Sequence, residues 1–289
     1  MIAKHIVASI LAFCIFLLLS EEGFSQDSTI QKYNLSSRRE RIQARRNRVN
    51  KLIEQEEDGA LVFAKQWALG IKLNTDGYGF FYEHGKYKTI KKTNLWWLEL
   101  GEKKQHNQQK VTPEPQQYNI GSNTEVLSVG DNYVYGKENN FYQFKIGLGR
   151  QLLIGGKGST NGVAVSAIYG GGISFGIVKP YYLQVEDSLS QSGVSDVRYQ
   201  DKPDVFLNPL LVLGASGFTK GWDKATVVPG LHVRGALRFD YGRFRETLSA
   251  LEVGFNVDYY AKKVGIMVLN PKHDLFLNTY IAFVFGGRK

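Results

Sequence analysis

The sequence of 289 residues contains one cysteine and two methionines, and after residue 25 it has no continuous apolar run of 18 residues. A single cysteine excludes a disulfide scaffold and a cysteine-based zinc site. The missing apolar run excludes a membrane-spanning helix beyond residue 25. Glycine (31), tyrosine (16) and phenylalanine (17) are abundant, and the chain is 43% hydrophobic and 22% charged. This composition excludes general disorder and favours aromatic-rich strands over a helical enzyme.

Residues 1–25 have the features of a signal peptide. Their apolar run, 6–19, has the length of a signal-peptide core and is shorter than the roughly 20 residues that a spanning helix requires. The small residues Gly23 and Ser25 fit cleavage before Gln26. An uncleaved anchor and a lipoprotein are the alternatives. Cleavage removes the cysteine, so we expect an exported mature chain without thiol chemistry.

Residues 26–58 form a basic segment. The stretch 36–55 is free of glycine and proline and predicts one helix of about five turns. A narrow apolar stripe with arginines around it indicates a helix that lies on a surface. That surface is either anionic lipid headgroups or a partner protein; the alternative is a solvated helix that caps a barrel end. The residues predicted to dock are Arg38, Arg41, Ile42, Arg45, Arg48, Val49 and Ile53.

After Gly59 the periodicity changes to two, which is typical of strands. On each strand one face is apolar and the other is small or polar. A tight turn is predicted at His84-Gly85-Lys86. The eight predicted strands are 60–73, 78–83, 87–100, 141–154, 162–179, 227–241, 248–261 and 275–285.

The apolar faces could point inward, as in a soluble sandwich or a lipocalin-like barrel. Strand length favours the opposite arrangement, because tilted strands of roughly 14 residues rise about 35 Å and cross an apolar band of about 25 Å. The long connections between the predicted strands also lie at one end of the barrel, as they do in membrane-spanning barrels. Aromatic residues at strand ends are predicted to form an interfacial girdle. These residues are Tyr78, Trp96, Trp97, Tyr181, Tyr182, Tyr241, Tyr259 and Tyr260.

The sequence therefore predicts an all-β fold: an eight-stranded antiparallel transmembrane β-barrel over 59–289, preceded by a short periplasmic α-helix. We expect it in the bacterial outer membrane, with the N-terminal helix and the C-terminus in the periplasm. Residues 206–217 are left open, because they fit either an additional strand or a helix in a loop. The outer loops, 102–140 and 180–226, either bind ligands or are disordered.

Four stretches carry a family resemblance. They are Gly23-Phe24-Ser25 before a glutamine, Lys92-Thr93-Asn94-Leu95-Trp96-Trp97-Leu98-Glu99-Leu100-Gly101, Gly217-Phe218-Thr219-Lys220-Gly221 and Tyr280-Ile281-Ala282-Phe283-Val284-Phe285. With them, most of residues 60–289 resembles the small outer-membrane β-barrel proteins of Bacteroidota-type bacteria. The resemblance implies outer-membrane placement and insertion through the barrel-assembly pathway. It implies no activity.

Charged residues on the small face are predicted to form an ionic network inside the barrel. Eight strands enclose a lumen that side chains fill, so an open diffusion pore is disfavoured. Charges buried there must pair or be solvated. A proton or ion relay is the functional alternative. The predicted members are Arg150, His232, Arg234, Arg238, Asp240, Glu252 and Asp258.

No catalytic, metal or cofactor site is predicted. His232 has candidate acids in Glu252 and Asp258, but no serine lies beside it in a fixed motif. No histidine pair has the HExxH spacing. The segment 155–160 resembles part of a phosphate-binding loop, yet no helix follows it.

These observations predict a non-enzymatic outer-membrane β-barrel that is a structural or accessory subunit, with a secretion or outer-membrane assembly complex as its candidate setting. The alternatives are a small porin-like transport or ligand-binding barrel and a lipid-modifying membrane enzyme. The expected partners are outer-membrane lipid, lipopolysaccharide and, through the basic helix, outer-membrane or periplasmic proteins. Nucleic acid is excluded, because an exported protein rarely meets it.

Overall fold

The computed structural model describes residues 45, 64–89, 91–106, 108–113, 117–120, 123–126, 131–156, 162–187, 193–242 and 246–289. The predicted signal peptide lies outside the described residues. The basic helix also lies outside them, apart from Arg45. Within the described part, no helix has the length and hydropathy to cross a bilayer.

Eight strands form a closed ring in which every strand is antiparallel to both neighbours. Chain order and spatial order coincide, and the last strand pairs with the first at Trp67 and Gly287. This confirms the predicted eight-stranded antiparallel barrel. The strands are β1 (Lys65–Asn74), β2 (Gly77–Thr89), β3 (Lys92–Lys103), β4 (Asn139–Gly155), β5 (Ala164–Pro180), β6 (Thr226–Asp240), β7 (Thr247–Val264) and β8 (His273–Arg288).

The register fixes the tilt of the strands. A row of cross-strand partners that starts at Asn74 passes once round the ring and returns to β1 at Ala64, ten residues away. Such a stagger requires strands inclined by roughly 35–45° to the barrel axis. The end of β2 and the start of β3, the end of β4 and the start of β5, and the end of β6 and the start of β7 lie at the end of the barrel that carries Lys65 and Arg288, here the terminal end. Connections 75–76, 104–138, 181–225 and 265–272 lie at the opposite, loop end.

Side chains alternate between an exposed apolar exterior and a buried interior. On β1, Trp67 and Leu69 are 47% and 54% exposed, whereas Gln66 and Lys72 are buried. The apolar faces therefore point outward, as predicted. We call the exposed outward side chains the apolar belt: Trp67, Leu69, Ile71, Leu73, Phe80, Leu100, Ile146, Leu148, Ile173, Leu231, Leu237, Val253, Phe255, Leu277, Ile281, Phe283 and Phe285.

The predicted turn at His84-Gly85-Lys86 is wrong, because β2 continues to Thr89. Gly85 faces inward and is paired with Leu95. A Cβ at Gly85 would come within 2.9 Å of the Leu95 side chain, so this glycine makes room for that side chain. The next strand begins at Lys92, and the first strand begins at Lys65, with residues 60–63 outside the described part.

Of the residues predicted to form an aromatic girdle, Tyr78, Trp96, Tyr241 and Tyr259 are exposed. The prediction is wrong for Trp97, Tyr182 and Tyr260, which are buried. Adjacent residues on a strand point to opposite faces, so neighbouring aromatic residues cannot both lie outside. Tyr181 is partly buried against the hydrophobic core that includes Tyr133 and Leu183.

The connection 181–225 folds into a unit with its own core, which we call the loop assembly. Its three-stranded sheet consists of Tyr182–Glu186, Val194–Arg198 and Val212–Ala215, with the short helix Pro203–Phe206 and the 3₁₀ turn Trp222–Lys224. The buried core includes Tyr133, Leu183, Val185, Val197, Phe206 and Val212. The stretch 206–217 thus contributes to both a helix and a strand, and neither belongs to the ring. Two smaller hairpins pair Lys110–Val111 with Tyr133–Val134 and Gln117–Ile120 with Asn123–Val126.

Candidate functional site in the barrel lumen

Two arginines and two glutamates meet in the middle of the lumen and form the central cluster. Arg238 donates to Glu83 at 2.7 and 3.0 Å, and to Glu252 at 2.7 and 2.9 Å. Arg234 also donates to Glu252, and to the Tyr280 hydroxyl at 2.9 Å. Tyr280 in turn donates to Glu252 at 2.5 Å. Each charge in this cluster therefore has a partner of opposite sign.

The central cluster crosses the barrel. Glu83 is on β2 and Arg238 is on β6, four strands away in a ring of eight. Opposite walls are therefore joined by a bidentate ion pair whose side chains are at most 1% exposed. Such a pair combines charge with fixed geometry. It occupies the space through which a solute would have to pass.

A second group, the upper cluster, lies nearer the loop end. Lys72 donates to Glu99 at 2.5 Å, and Lys145 lies 2.7 Å from Asp258 and 3.5 Å from Glu99. Lys103 lies 3.2 Å from Asp258 and also binds the partly exposed Asp76. Lys103 and Asp258 are on strands that face each other across the ring. The lumen is thus bridged at a second level.

The two ends of the lumen are filled differently. At the terminal end Arg288 binds Asp240 at 2.5 Å and Gln66 at 3.2 Å. At the loop end three rings, Phe141, Tyr260 and Phe276, pack with centroids 5.2–5.9 Å apart. This aromatic layer lies above the ionic clusters.

The charges of the lumen balance among the described residues. Six cations face six anions, and apart from Asp76 their side chains are at most 6% exposed. A pore that selects ions by charge is lined by residues of one sign, and this lumen is lined by residues of both signs. The cations are Lys72, Lys103, Lys145, Arg234, Arg238 and Arg288; the anions are Asp76, Glu83, Glu99, Asp240, Glu252 and Asp258.

His232 is held by Trp97. The indole N–H of Trp97 donates to Nε2 of His232 at 3.3 Å. Trp97 fits inside the ring because glycines face it: a Cβ at Gly147 would lie 2.2 Å from its ring, and one at Gly170 would lie 2.8 Å away. Of the glycine run 170–172, Gly170 thus makes room for Trp97, whereas a Cβ at Gly171 or Gly172 would first meet backbone atoms of a neighbouring strand. Nδ1 of His232 has no hydrogen-bond partner within the described residues.

The structure brings six of the seven predicted network residues into the lumen: His232, Arg234, Arg238, Asp240, Glu252 and Asp258. The prediction for Arg150 is wrong. Arg150 lies on the outward row of β4, between Leu148 and Leu152, while Gln151 is buried. Successive side chains of a strand point to opposite faces, so an error of one residue in the assignment moves a side chain from the lumen to the exterior. Of the predicted docking residues only Arg45 is described, and Arg38, Arg41, Ile42, Arg48, Val49 and Ile53 lie outside the described part.

Sequence reasoning missed seven of the twelve charged residues of the network. Glu83 was assigned to a strand end, and Glu99 and Lys145 were not considered. Lys72 shared a face with Gln66 and Ala68, so its inward direction was visible from the alternation. What the sequence does not show is which strands face each other, and this decides the pairing.

One ring nitrogen of His232 is engaged in a hydrogen bond inside the lumen. Its cross-strand partner is Asp258, but Nε2 already accepts the Trp97 N–H, and the side chain is buried within the closed lumen. Over the described ranges, no three His, Cys, Asp or Glu side chains converge to hold a metal ion.

These features define a closed, eight-stranded antiparallel β-barrel with an apolar exterior and a filled, charge-balanced interior. No protein-family model matches the chain, and no curated protein matches it significantly. The chain is similar in structure to Neisserial surface protein A, with a TM-score of 0.38, 8% identity and coverage of 78% of this chain and 96% of that one.

Two further solved structures are similar. The N-terminal β-barrel domain of Pseudomonas aeruginosa OprF gives a TM-score of 0.34 and 8% identity, over 78% of this chain and 96% of that one. The other is Ail, the attachment invasion locus protein of Yersinia pestis, in complex with the heparin analogue sucrose octasulfate. It gives a TM-score of 0.31 and 7% identity, over 77% of this chain and 94% of that one. Values this low carry no inference about what this chain binds or does.

Proposed function

We propose that this chain is a non-enzymatic outer-membrane β-barrel whose lumen is a structural plug and whose role is that of an accessory subunit presenting the loop assembly. The observation that carries the proposal is the inverted distribution of polarity. Arg238 and Glu83 pair across the buried interior, while Phe255 and Leu69 are half exposed on the outside. In water this arrangement is unfavourable. In a bilayer the exterior is solvated by acyl chains, and closure leaves no unpaired strand edge.

The edges of the apolar belt support this placement. Tyr78 and Tyr259 are exposed near the loop end, and Trp67 and Tyr241 are exposed near the terminal end. Tyrosine and tryptophan prefer the interface between hydrocarbon and water. We infer that the terminal end faces the periplasm and the loop end faces outward, because barrels of this kind have their short turns in the periplasm.

A plugged lumen favours a scaffold over a transporter. The ionic clusters join opposite walls, and the aromatic layer of Phe141, Tyr260 and Phe276 lies above them. What remains available to partners is the loop assembly, the lipid-facing exterior and the basic segment 36–55. We therefore propose contacts with outer-membrane lipid and lipopolysaccharide, and with a secretion or assembly complex through that segment.

Two measurements test the membrane role. We expect the mature chain to require detergent or lipid to stay in solution, and to give no conductance steps after reconstitution into planar bilayers. A stable, monodisperse chain in buffer alone would contradict the membrane placement. Reproducible conductance steps, absent from mock-reconstituted bilayers, would contradict the plug and favour transport.

The accessory role has a separate test. Purification from native membranes in mild detergent is expected to yield stoichiometric partner proteins, and deletion of 36–55 is expected to release them. The matched control replaces this stretch by a neutral helix of the same length. If the partners stay bound to both variants, the basic segment is not the contact.

Absence of catalysis is tested with His232→Gln, which keeps a hydrogen-bond acceptor for Trp97. We expect neither the wild-type chain nor this variant to hydrolyse phospholipid or lipopolysaccharide acyl esters. Turnover that the substitution abolishes would contradict the proposal.

A further inference from the structure

A turn of the loop assembly places two aromatic side chains against the outside of the barrel. In residues 217–222, here called the aromatic turn, Phe218 and Trp222 are 67% and 41% exposed. The ring of Trp222 stacks on that of Tyr142, with centroids 5.6 Å and planes 16° apart, and Phe218 packs edge-on against both rings. Tyr142 lies on the outward row of β4. The aromatic turn therefore adds apolar surface that belongs to no strand of the ring.

This surface is continuous with the apolar belt. Along the outward row of β4, Tyr142 is followed by Phe144 and then by Ile146, a member of the belt that is 43% exposed. Phe144 also stacks on Phe175 of β5, with ring centroids 6.3 Å apart. The medium that solvates the belt on β4 and β5 therefore reaches the aromatic turn without crossing a polar row.

The register places Tyr142 level with an aromatic residue already assigned to the membrane edge. Because the ring is staggered by ten residues over eight strands, a level line shifts by about four residues over three strands. Tyr142 pairs with Ile177, which in turn pairs with Val227. Four residues further along β6, towards the terminal end, Leu231 pairs with the exposed Tyr259. The aromatic turn is thus attached to the wall at the loop-end edge of the belt.

Three polar groups of the aromatic turn already have partners within the protein. The Phe218 carbonyl accepts hydrogen bonds from Nζ of Lys179 at 2.5 Å and from the indole N–H of Trp222 at 3.1 Å. The ammonium group of Lys220 forms an ion pair with Asp196 at 2.7 Å. Polar groups without partners are costly to remove from water. These contacts therefore lower the cost of placing the turn in an apolar layer.

Gly221 fixes the position of the aromatic turn. Its φ of +89° lies in the left-handed region that favours glycine. A Cβ there would lie 2.9 Å from the carbonyl oxygen of Pro180, at the end of β5, and 2.9 Å from the ring of Tyr182. The close approach that glycine permits sets where the Phe218 ring stands relative to the barrel wall.

We propose that the aromatic turn inserts into the lipid leaflet at the loop end and anchors the loop assembly to the membrane. The occupant of this surface is lipid, because the surface continues the belt and lies at the level where tryptophan and other aromatic side chains prefer the boundary between hydrocarbon and water. The inference rests on the proposed membrane placement and goes beyond it by assigning a lipid contact to a segment outside the ring. Such an anchor sets the orientation of the loop assembly on the membrane surface.

The first test locates residue 218 in vesicles. In the full mature chain, Phe218→Cys is labelled with the fluorophore nitrobenzoxadiazole and reconstituted into phosphatidylcholine vesicles. The sole cysteine of the sequence, Cys14, lies in the predicted signal peptide, so the label is unique. We expect strong quenching by lipids that carry a nitroxide near the headgroup, and weak quenching by iodide present on both sides of the bilayer.

The matched control is Leu210→Cys. Leu210 is 77% exposed in the same loop assembly. It precedes Val212, which pairs with Val185, whereas the end of the sheet next to the barrel pairs Ala215 with Leu183. A label at residue 210 is therefore expected to show the reverse pattern, with strong quenching by iodide and weak quenching by the lipid nitroxide.

The second test uses the aromatic turn without a label. Because transfer of a phenylalanine side chain from water to an apolar phase is favourable, tryptic cleavage after Lys220 in vesicles should become about tenfold faster or more in Phe218→Ser. Phe218→Leu keeps an apolar side chain without the aromatic contacts, so it should stay close to the wild-type rate. Leu210→Ser is the matched exposed change and should leave the rate unaltered.

Three results would overturn the inference. The first is iodide quenching at residue 218 as strong as at residue 210. The second is cleavage of Phe218→Leu as fast as that of Phe218→Ser, because the ring would then act through packing alone. The third is protection of the label from iodide only after a soluble saccharide is added, which would identify a sugar-binding surface. If the labelled chain does not form the closed barrel, as judged by heat-modifiable gel migration, the cleavage rates decide.

The two levels of proposal fail separately. A barrel that inserts into vesicles but exposes residue 218 to iodide refutes only the anchor. A chain that is stable in buffer without lipid refutes the membrane placement, and the anchor with it.

Discussion

Arg238 binds Glu83 through two parallel hydrogen bonds, of 2.7 and 3.0 Å, although β6 and β2 are on opposite sides of the ring. The same guanidinium group also binds Glu252 on the adjacent strand β7. One side chain thus fixes the distance between the two walls and closes the middle of the lumen. A buried charge of this kind is tolerated only while all its partners are present.

We expect Arg238→Ala to destabilise the barrel by about 3–5 kcal/mol, because Glu83 would be left buried without its main counter-charge. Urea unfolding in detergent micelles, followed by heat-modifiable gel migration, measures this free energy. Replacing both partners, in Glu83→Gln/Arg238→Met, should cost less than the single change. Lys88→Ala, an exposed position of β2, should stay within about 0.5 kcal/mol of wild type. Equal costs for the single and double variants would contradict this account.

Gly147 and Gly155 are both on β4 and should respond differently to alanine. A Cβ at Gly147 would lie 2.2 Å from the Trp97 ring, whereas a Cβ at Gly155 would meet nothing within 4 Å. We expect Gly147→Ala to cost about 1–3 kcal/mol or more, as overpacking does, and Gly155→Ala to be nearly neutral. The same unfolding assay compares them. Partial recovery in Trp97→Leu/Gly147→Ala would identify the ring as the obstacle, and a failure to recover would argue against it.

Lys179 holds the loop assembly against the outside of the barrel wall. Its ammonium group donates to the Phe218 carbonyl at 2.5 Å and lies 4.7 Å and 5.2 Å from the ring centres of Phe218 and Trp222. Removing the charge in Lys179→Met should release this contact. Because a partly desolvated cation–π contact contributes about 1–2 kcal/mol, tryptic cleavage after Lys220 should become about five- to tenfold faster. Lys202→Met, an exposed change, should leave the cleavage rate unaltered.

The loop assembly should loosen in acid. Burial alone would raise the pKa of Asp196, but hydrogen bonds from Lys220 and Ser216 outweigh it and hold that pKa below its ordinary 3.8. Both contacts measure 2.7 Å. A depressed pKa stabilises the fold above pH 3.8, and this contribution disappears as the pH falls through the folded value. Hydrogen exchange at Val194–Arg198 should therefore be constant from pH 7 to 5, once corrected for intrinsic rates, and accelerate below pH 4. Asp196→Asn should remove this dependence.

The alternation of apolar and polar side chains predicts the barrel. It does not predict which charged side chains pair across the lumen. The pattern of Trp67 and Leu69 against Gln66 and Ala68 identifies the two faces of β1 from the sequence alone. Gly85 was misread as a turn because a glycine that makes room for Leu95 looks the same in sequence as one that bends the chain. Glu83 was missed for the same reason, since its strand was ended there.

Which charges meet depends on the stagger of the ring. Lys145 and Asp258 are three strands apart, and only the register brings them to 2.7 Å. A one-residue error in phase moves a side chain to the other face, as happened for Arg150. Pairing across a lumen is therefore a property of the closed ring, and no local pattern records it.

The pairing of β1 with β8 joins the beginning of the described barrel to its end, with Gln66 opposite Arg288. The seam can form only after β8 has been synthesised, and the long sequence separation between β1 and β8 makes closure a late, slow event. A product that ends before β8 would keep two open edges and exposed apolar faces, which are targets for aggregation and proteolysis. Pairing of β8 with both β1 and β7 is therefore the step that removes the last two open strand edges of the ring.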